Sequence, residues 1–199
     1  MIVTSGVQAD KAGSVLHLYN RASNGARALL EIWNARVETR APSLADALTS
    51  SHDAASRLRQ WIKESAHADF TVSNLERRLD HFINETARAP LARAAFDGGD
   101  RNAIGHLAAD SQREAAHLLG NQIPETILLT DLARQFGAFA ASSFGAGFGG
   151  SVWALVSSAD ARQFGADWVA AYQQAVPAID TVPWFIARPG PSATAVAVD

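Results

Sequence analysis

The sequence contains no cysteine. Its absence excludes disulfide frameworks, zinc sites with cysteine ligands and thiol nucleophiles, and it favours a reducing compartment. No apolar run approaches the roughly 18 residues that cross a membrane, and the first residues lack the basic and apolar segments of a secretion signal. We therefore expect a cytoplasmic protein without a membrane partner.

Charged residues are scarce, at 19% of the chain, and the formal net charge is −3. A surface that neutralises nucleic-acid phosphates or anionic lipids needs a positive excess, so neither partner is expected. The six histidines never stand four residues apart in the H-x-x-x-H pattern, so no metal site is predicted. With 199 residues, 48% of them apolar, the chain can bury one sizeable core, and its partner is expected to be a small molecule or a protein.

Helical spacing of apolar residues dominates the chain as far as about residue 136. Before it, Ile2, Val3 and Val7 indicate a short strand. The caps and apolar stripes then predict five helices: from Ala12 to about Trp33 with Asp10 as cap, from Ser43 to about Ile62, from Ser73 onward, from Asp100 onward, and from Glu125 to about Phe136. Pro90 is expected to kink or split the third helix, because proline has no N–H for the helical ladder.

After Gly137 the pattern changes to short β-like runs separated by glycine and proline. Four strands are predicted at Phe139–Phe144, Ser151–Val156, Val182–Ala187 and Thr194–Val198, with a helix from Phe164 to Ala175 between the second and third. Strands interleaved with helices indicate an α+β fold, in which a four-stranded, mostly antiparallel sheet is packed with several helices.

A glycine-rich loop lies between the first two of these strands. Its residues are Gly145, Ala146, Gly147, Phe148, Gly149 and Gly150. They fit G-x-G-x-x-G, but a β-like run follows instead of a helix, so dinucleotide binding is rejected. A Walker A loop also fails, because no lysine follows the last glycine. Two interpretations stay open: a strand connection that needs positive φ, and a backbone cradle for anionic oxygens.

The segment 137–156, GAFAASSFGAGFGGSVWALV, resembles the third sequence motif of galactokinases, which are members of the GHMP kinase superfamily. Further matches in order and rough spacing are Ser5-Gly6-Val7, Tyr19-Asn20-Arg21, Arg78, His81, Glu85, Arg88, Gly105, Ser111, Pro124-Glu125 and the tail 184–191. The resemblance implies a GHMP kinase C-terminal domain over residues 11–199, with a helical part at about 11–136 and a sheet part at about 137–199. The sheet is expected to have ferredoxin-like split βαβ topology, and residues 1–10 are expected to be a strand remnant of a missing N-terminal domain.

The resemblance also implies an activity, the transfer of the γ-phosphoryl group of Mg-ATP to the anomeric hydroxyl of a galactose-like sugar. Tyr19 matches a tyrosine that contacts the sugar, although its place in the apolar stripe of the first helix makes core packing an equal alternative. The loop from Gly145 to Gly150 would support the phosphate-binding loop of the complete enzyme. The family's Gly-Glu-His motif, Gly-Leu-Ser-Ser-Ser motif and catalytic aspartate are not found in this sequence. We therefore expect no catalytic residue in this chain, no activity by it alone, and completion by an N-terminal half or a second polypeptide.

An alternative function is a non-catalytic sugar- or protein-binding module derived from a galactokinase. Its expected sign is a chain that is stable alone. If Phe139, Phe148 and Trp153, which would face the absent half, are left exposed as an apolar patch, the chain is expected to self-associate or to bind a partner. The sequence also departs from the galactokinase pattern at Gln112 and at Ser142-Ser143-Phe144. The group His81, Glu85 and Arg88 shares one helical face, and we interpret it as an interhelical polar network rather than an acid–base or metal site.

Overall fold

The computed structural model describes residues 1–8 and 16–188. In these ranges the chain forms seven α-helices and four strands. In chain order they are β1 (Ile2–Thr4), α1 (Leu16–Asn34), α2 (Leu44–Thr49), α3 (Ala54–Glu64), α4 (Val72–Asp97), α5 (Arg101–Glu114), α6 (Pro124–Gln135), β2 (Ala140–Ser143), β3 (Ser151–Leu155), α7 (Ala161–Ala175) and β4 (Trp184–Phe185). A π-helical turn, Ala115–Leu119, continues α5 directly.

The four strands form one antiparallel sheet in the order β2-β3-β1-β4. β2 and β3 are a hairpin, while β1 and β4 are each joined to it through helices, which is the split βαβ arrangement. The predicted α+β fold is confirmed. β1 is an interior strand with Val3 fully buried, so it is an integral part of this sheet. The origin of residues 1–10 in another domain stays a prediction.

One face of the sheet is covered by α6 and α7. Val3 and Val152 pack there against Trp168, Tyr172 and Leu129, and all five side chains are essentially inaccessible. The two polar side-chain atoms in this core have hydrogen-bond partners. Trp168 Nε1 donates to the Leu129 carbonyl (2.9 Å), and the Tyr172 hydroxyl donates to the Ser5 carbonyl (2.7 Å). Buried aromatic residues of this kind fix β1 to α7 and hold the strand that precedes α1.

A second core lies among the N-terminal helices. Leu29 of α1, Leu58 and Ile62 of α3, and Leu75 and Leu79 of α4 are buried together. Each such side chain contributes about 1.5–3 kcal/mol through the removal of apolar area from water. A third, smaller cluster of Ala95, Ile104 and Ala140 connects α4 and α5 to the other face of the sheet. The helical and sheet cores are therefore linked through α5 and β2.

The structure corrects several helix boundaries. The predicted second helix is two helices, because the Ser50 and Ser51 hydroxyls bond to Ala47 O and Asp53 Oδ1 and so compete with the helical ladder. α4 begins at Val72 and is capped by Thr71 with Asn74, so the predicted cap Ser73 is wrong and this residue lies in the first turn of the helix. Pro90 does not split α4, which continues to Asp97 and is anchored on either side by buried Leu79 and Ala95.

Two capping predictions are confirmed, as Ser43 accepts from Asp46 N and Asp100 accepts from Ala103 N. The predicted cap Asp10 and the predicted strand Thr194–Val198 lie outside the described residues. In the described ranges, no helix is both long enough and apolar enough to cross a membrane.

Candidate functional site

The glycine-rich loop joins β2 to β3 and is almost entirely left-handed. Positive φ values occur at Gly145 (65°), Gly147 (86°), Phe148 (59°), Gly149 (125°) and Gly150 (85°). Glycine accepts these conformations without a Cβ clash, which accounts for the four glycines in six residues. The backbone of the loop therefore has the positive φ values that the interpretation as a strand connection requires.

The loop is fixed by hydrogen bonds to two distant segments. Phe148 N donates to the Asn121 carbonyl (2.6 Å), and Asn121 Nδ2 donates to the Ala146 carbonyl (3.1 Å). On the other side, Gly150 N donates to Val7 O (2.9 Å) and Gly150 O accepts from Ser5 N (2.7 Å). A Cβ built on Gly147 would lie 2.0 Å from Asn121 O, so the backbones approach as closely as glycine allows.

Tyr19 is brought to this loop from α1. Its hydroxyl donates to the Gly147 carbonyl (3.0 Å), and its ring meets Phe148 edge to face at 5.2 Å between centroids. The resemblance assigns both Tyr19 and the loop to the active site of the complete enzyme, and in the structure the two are in contact. Because the phenolic proton is directed at Gly147, the oxygen has lone pairs left to accept a hydrogen bond from a ligand. Contact with a sugar stays a prediction.

Three amide side chains form a hydrogen-bonded chain that supports the loop. The sequence analysis did not predict this network. Gln112 Oε1 accepts from Ser142 Oγ (3.0 Å), Ser143 N (3.0 Å) and Ser143 Oγ (3.1 Å). Gln112 Nε2 then donates to Gln122 Oε1 (3.2 Å), and Gln122 Nε2 donates to Asn121 Oδ1 (3.0 Å). The network ties the end of β2 to the residue that holds the loop.

A signal for this network was present in the sequence. Gln112 and Ser142-Ser143 depart from the galactokinase pattern at two separate places in the sequence, and in the structure they are hydrogen-bonded to each other. The glutamine supplies one acceptor and the two serines supply donors, so the two departures from the pattern meet in one hydrogen-bonded contact. Gln112 is buried, so an unpaired amide there would cost about 1–3 kcal/mol.

The polar row on α4 is an interhelical network. Arg78 Nε donates to the Ala22 carbonyl of α1 (3.0 Å), and Arg88 pairs with Glu85 and, at 2.9 Å, with Glu114 of α5. Burial lowers the pKa of His81 to about 4, an effect increased by the positive charge of Arg78 and partly opposed by Glu114. His81 is therefore neutral at pH 7, and its Nδ1 faces Arg78 Nη1 at 3.3 Å as an acceptor.

The three side chains named as an exposed apolar face are all half-buried. Phe139 and Trp153 pack against the cluster around Ile104, and Phe148 packs against Tyr19. These three side chains therefore do not form an exposed apolar face in the structure, and self-association stays a prediction. Large apolar side chains that are exposed in the described ranges include Phe96, Phe136, Phe144 and Phe185.

The described residues do not fit a magnesium site. No group of three His, Asp or Glu side chains in residues 1–8 and 16–188 could hold a metal ion. Within the loop, the amides of Phe148 and Gly150 already donate to Asn121 and Val7. The geometry therefore shows a loop held by hydrogen bonds on two sides, and it does not show a complete site for a nucleotide with its metal.

Comparisons with known proteins agree with this architecture. The family model described as "GHMP kinases C terminal" matches residues 92–174. The galactokinase of Thermococcus kodakarensis is 32% identical over 115 residues, which are 57% of this chain and 32% of that protein. The chain thus spans about a third of the length of this curated relative.

Two solved structures share the fold. Lactococcus lactis galactokinase, crystallised with galactose, superposes with a TM-score of 0.69 and 24% identity, covering 88% of this chain and 42% of that one. L. major mevalonate kinase, crystallised with R-mevalonate, gives a TM-score of 0.52 and 17% identity over 91% of this chain and 39% of that one. Residues 92–174 of this chain therefore match a GHMP kinase C-terminal domain, and over its C-terminal portion the chain is a distant homologue of galactokinase.

Proposed function

We propose that this chain supplies the C-terminal domain of a galactokinase-like sugar 1-kinase, which converts ATP and a galactose-like sugar into the sugar 1-phosphate and ADP. The observation that carries the proposal is the contact of Tyr19 with the glycine-rich loop, because it joins the two features that the resemblance assigns to sugar and phosphate. The similarity to the galactokinase of Thermococcus kodakarensis supports the same activity class.

In this proposal the chain's own residues act by position. The hydrogen bonds of Asn121 hold residues 145–150 in one conformation, so the loop can support a phosphate-binding segment without reorganising. The Tyr19 oxygen accepts a hydrogen bond from a sugar hydroxyl, and the ring offers an apolar edge to the sugar. Phosphoryl transfer depends on positioning and on neutralising charge, which Mg²⁺ bound with ATP supplies.

No group of three candidate metal ligands occurs among the described residues, and the catalytic aspartate that the resemblance implies is not found in this sequence. We therefore propose that turnover in the cytoplasm requires residues supplied by an N-terminal domain or a completing polypeptide. The alternative, a non-catalytic binding module, makes the opposite prediction for the native protein.

The test begins with the intact mass of the native polypeptide in its source cells, identified through peptides of this chain. The native protein or complex is then purified and assayed for sugar 1-phosphate with ATP, Mg²⁺ and a panel of hexoses. We expect turnover by the native assembly and none by the 199 residues alone. A native product of 21.1 kDa that binds a sugar or a protein but forms no ADP with any hexose would establish the binding module instead.

Tyr19→Phe in the active assembly tests the sugar role. The loss of one hydrogen bond should raise the KM for the sugar several-fold and leave the KM for ATP unchanged. Equal changes in both constants would mean that Tyr19 serves only to pack the loop. Tyr172→Phe is the matched control, because that hydroxyl is bonded within the sheet core to Ser5.

A further inference from the structure

A cavity of about 250 Å³ lies behind the glycine-rich loop, between α1, α4 and the end of the π-helical turn. Its walls are the apolar side chains of Leu18, Leu118 and Phe148, and its polar lining includes Asn74 and three arginines, Arg21, Arg77 and Arg78. Among residues 1–8 and 16–188, no aspartate or glutamate lines it. The three guanidinium groups therefore give one small cavity a concentrated positive charge.

The arginines lack acidic partners in the part of the chain that the structure describes. Eight ion pairs occur there, and none includes Arg21, Arg77 or Arg78. Arg78 is half-buried, and burial lowers the pKa of its guanidinium. A buried cation without a counterion is unfavourable, so the cavity gains when an anion enters.

Two of the guanidinium groups are held in place by neutral groups. Arg21 Nη2 donates to Asn74 Oδ1 (2.9 Å), and its guanidinium carbon lies 5.0 Å from the centroid of the Phe70 ring. Arg78 Nε donates to the Ala22 carbonyl (3.0 Å). These contacts orient the two planar guanidinium groups. They leave other N–H groups free to bind a ligand, since each guanidinium has five donors.

The neighbouring charges do not cancel this field. Glu114 acts on His81 but is paired with Arg88, and His81 is neutral at pH 7. The carbonyl end of the π-helical turn contributes at most about half of a negative charge, against three formal positive charges. Among the described residues, the formal charges that line the cavity are therefore all positive.

We propose that this cavity binds a small phosphate-bearing anion. Its volume is below the roughly 300–1,000 Å³ of pockets for drug-sized ligands, so a phosphate or a monosaccharide phosphate fits and a whole nucleotide does not. Arginine forks match phosphate oxygens in pairs, and the apolar wall of Leu18 and Phe148 suits the face of a sugar ring. The cavity touches the loop through Phe148, so an anion bound there stabilises the loop conformation. This proposal does not depend on the kinase activity.

The proposal is tested by nuclear magnetic resonance titration of the 199-residue chain with inorganic phosphate and, separately, with a hexose monophosphate. Ionic strength is held constant with potassium chloride, because exposed arginines also attract anions without specificity. We expect saturable shifts of the Arg78 Nε–H, Gly25, Gly120 and Phe148 signals in both titrations. Tighter binding of the hexose phosphate would identify a sugar ester as the source of the phosphate group, and equal binding would identify free phosphate.

Variants locate the site. Arg77→Gln changes an exposed side chain at the rim, and Arg21→Gln changes the fork held by Asn74, so both should fold and bind the anion roughly tenfold more weakly. Arg162→Gln, an exposed residue of α7 outside the cavity, is the matched control and should bind as the unchanged chain does. The proposal is overturned if no saturable shift occurs, if the three variants bind alike, or if the shifts cluster around other arginines.

Discussion

Phe148 has an unusual backbone conformation within the glycine-rich loop. Among the described residues it is the one side chain other than glycine with positive φ, at 59°. A bulky residue in this region is strained by about 1–2 kcal/mol and persists only where its surroundings impose the conformation. Tyr19 and Asn121 impose it here, through the ring contact and the 2.6 Å hydrogen bond to Phe148 N.

Alanine substitutions at two glycines of the loop distinguish the cost of backbone strain from the cost of a steric clash. Gly145→Ala places a Cβ in open space at φ 65°, so we expect a loss of only about 1 kcal/mol. Gly147→Ala has the same strain and also places its Cβ 2.0 Å from a backbone oxygen, so a loss of about 3 kcal/mol is expected. Urea unfolding of the two variants measures the difference, and equal losses would show that Asn121 does not fix the loop.

At the scale of one element, α4 carries a row of polar side chains that is packed between α1 and α5. Arg78 reaches α1, Arg88 reaches Glu114 of α5, and His81 lies between them. The neutral form of His81 suits this row, because a second positive charge beside Arg78 would be repelled. The row therefore makes the helix packing sensitive to pH.

The pH dependence follows from the sign of the His81 shift. Its pKa falls from 6.5 in the unfolded chain to about 4 in the folded one, so the unfolded state binds the proton more readily. The contribution is fully present above pH 6.5 and is lost as the pH falls toward 4. Between pH 7 and pH 5 we expect a loss of roughly 1–2 kcal/mol, a value reduced for partial solvent screening.

His81→Gln provides the comparison, since glutamine retains an acceptor for Arg78 and does not titrate in this interval. The free energy of unfolding of both proteins is measured in urea at pH 7, 6 and 5. The difference between the two curves isolates His81 from the other histidines. Parallel curves would contradict the shift.

Much of each element could be predicted from the sequence, because local signals specify it. The caps Ser43 and Asp100 and the period of the apolar residues located helices correctly, and the glycines located the loop. The Ser50–Asp53 break was missed, because serine side chains there compete with a helix that the apolar stripe alone would continue. Asn121, Gln112 and Gln122 were missed as a network, because polar pairing across 10–30 residues has no periodic signature in one sequence.

At the scale of the whole molecule, the helical core and the sheet core are joined at a narrow seam. The seam consists of α5 and β2, where the small cluster of Ala95, Ile104 and Ala140 is buried. Gly105 lies in this seam, and a Cβ on it would stand 2.2 Å from the Phe139 carbonyl oxygen. A helix can lie this close to a strand only where its side chain is a hydrogen atom.

The seam makes Gly105→Ala a test of how the two cores cooperate. The added methyl must push α5 away from β2, so we expect a loss of about 1–3 kcal/mol and a weakened link between the cores. Hydrogen exchange along a urea series should then show α3 and α7 opening at different urea concentrations. Gly25→Ala is the control, because its Cβ meets the flexible Arg78 side chain at 3.3 Å and the Phe70 ring at an ordinary contact distance of 3.7 Å, so α3 and α7 should still open together. If α3 and α7 also open together in Gly105→Ala, the two cores are coupled by contacts other than the α5–β2 seam.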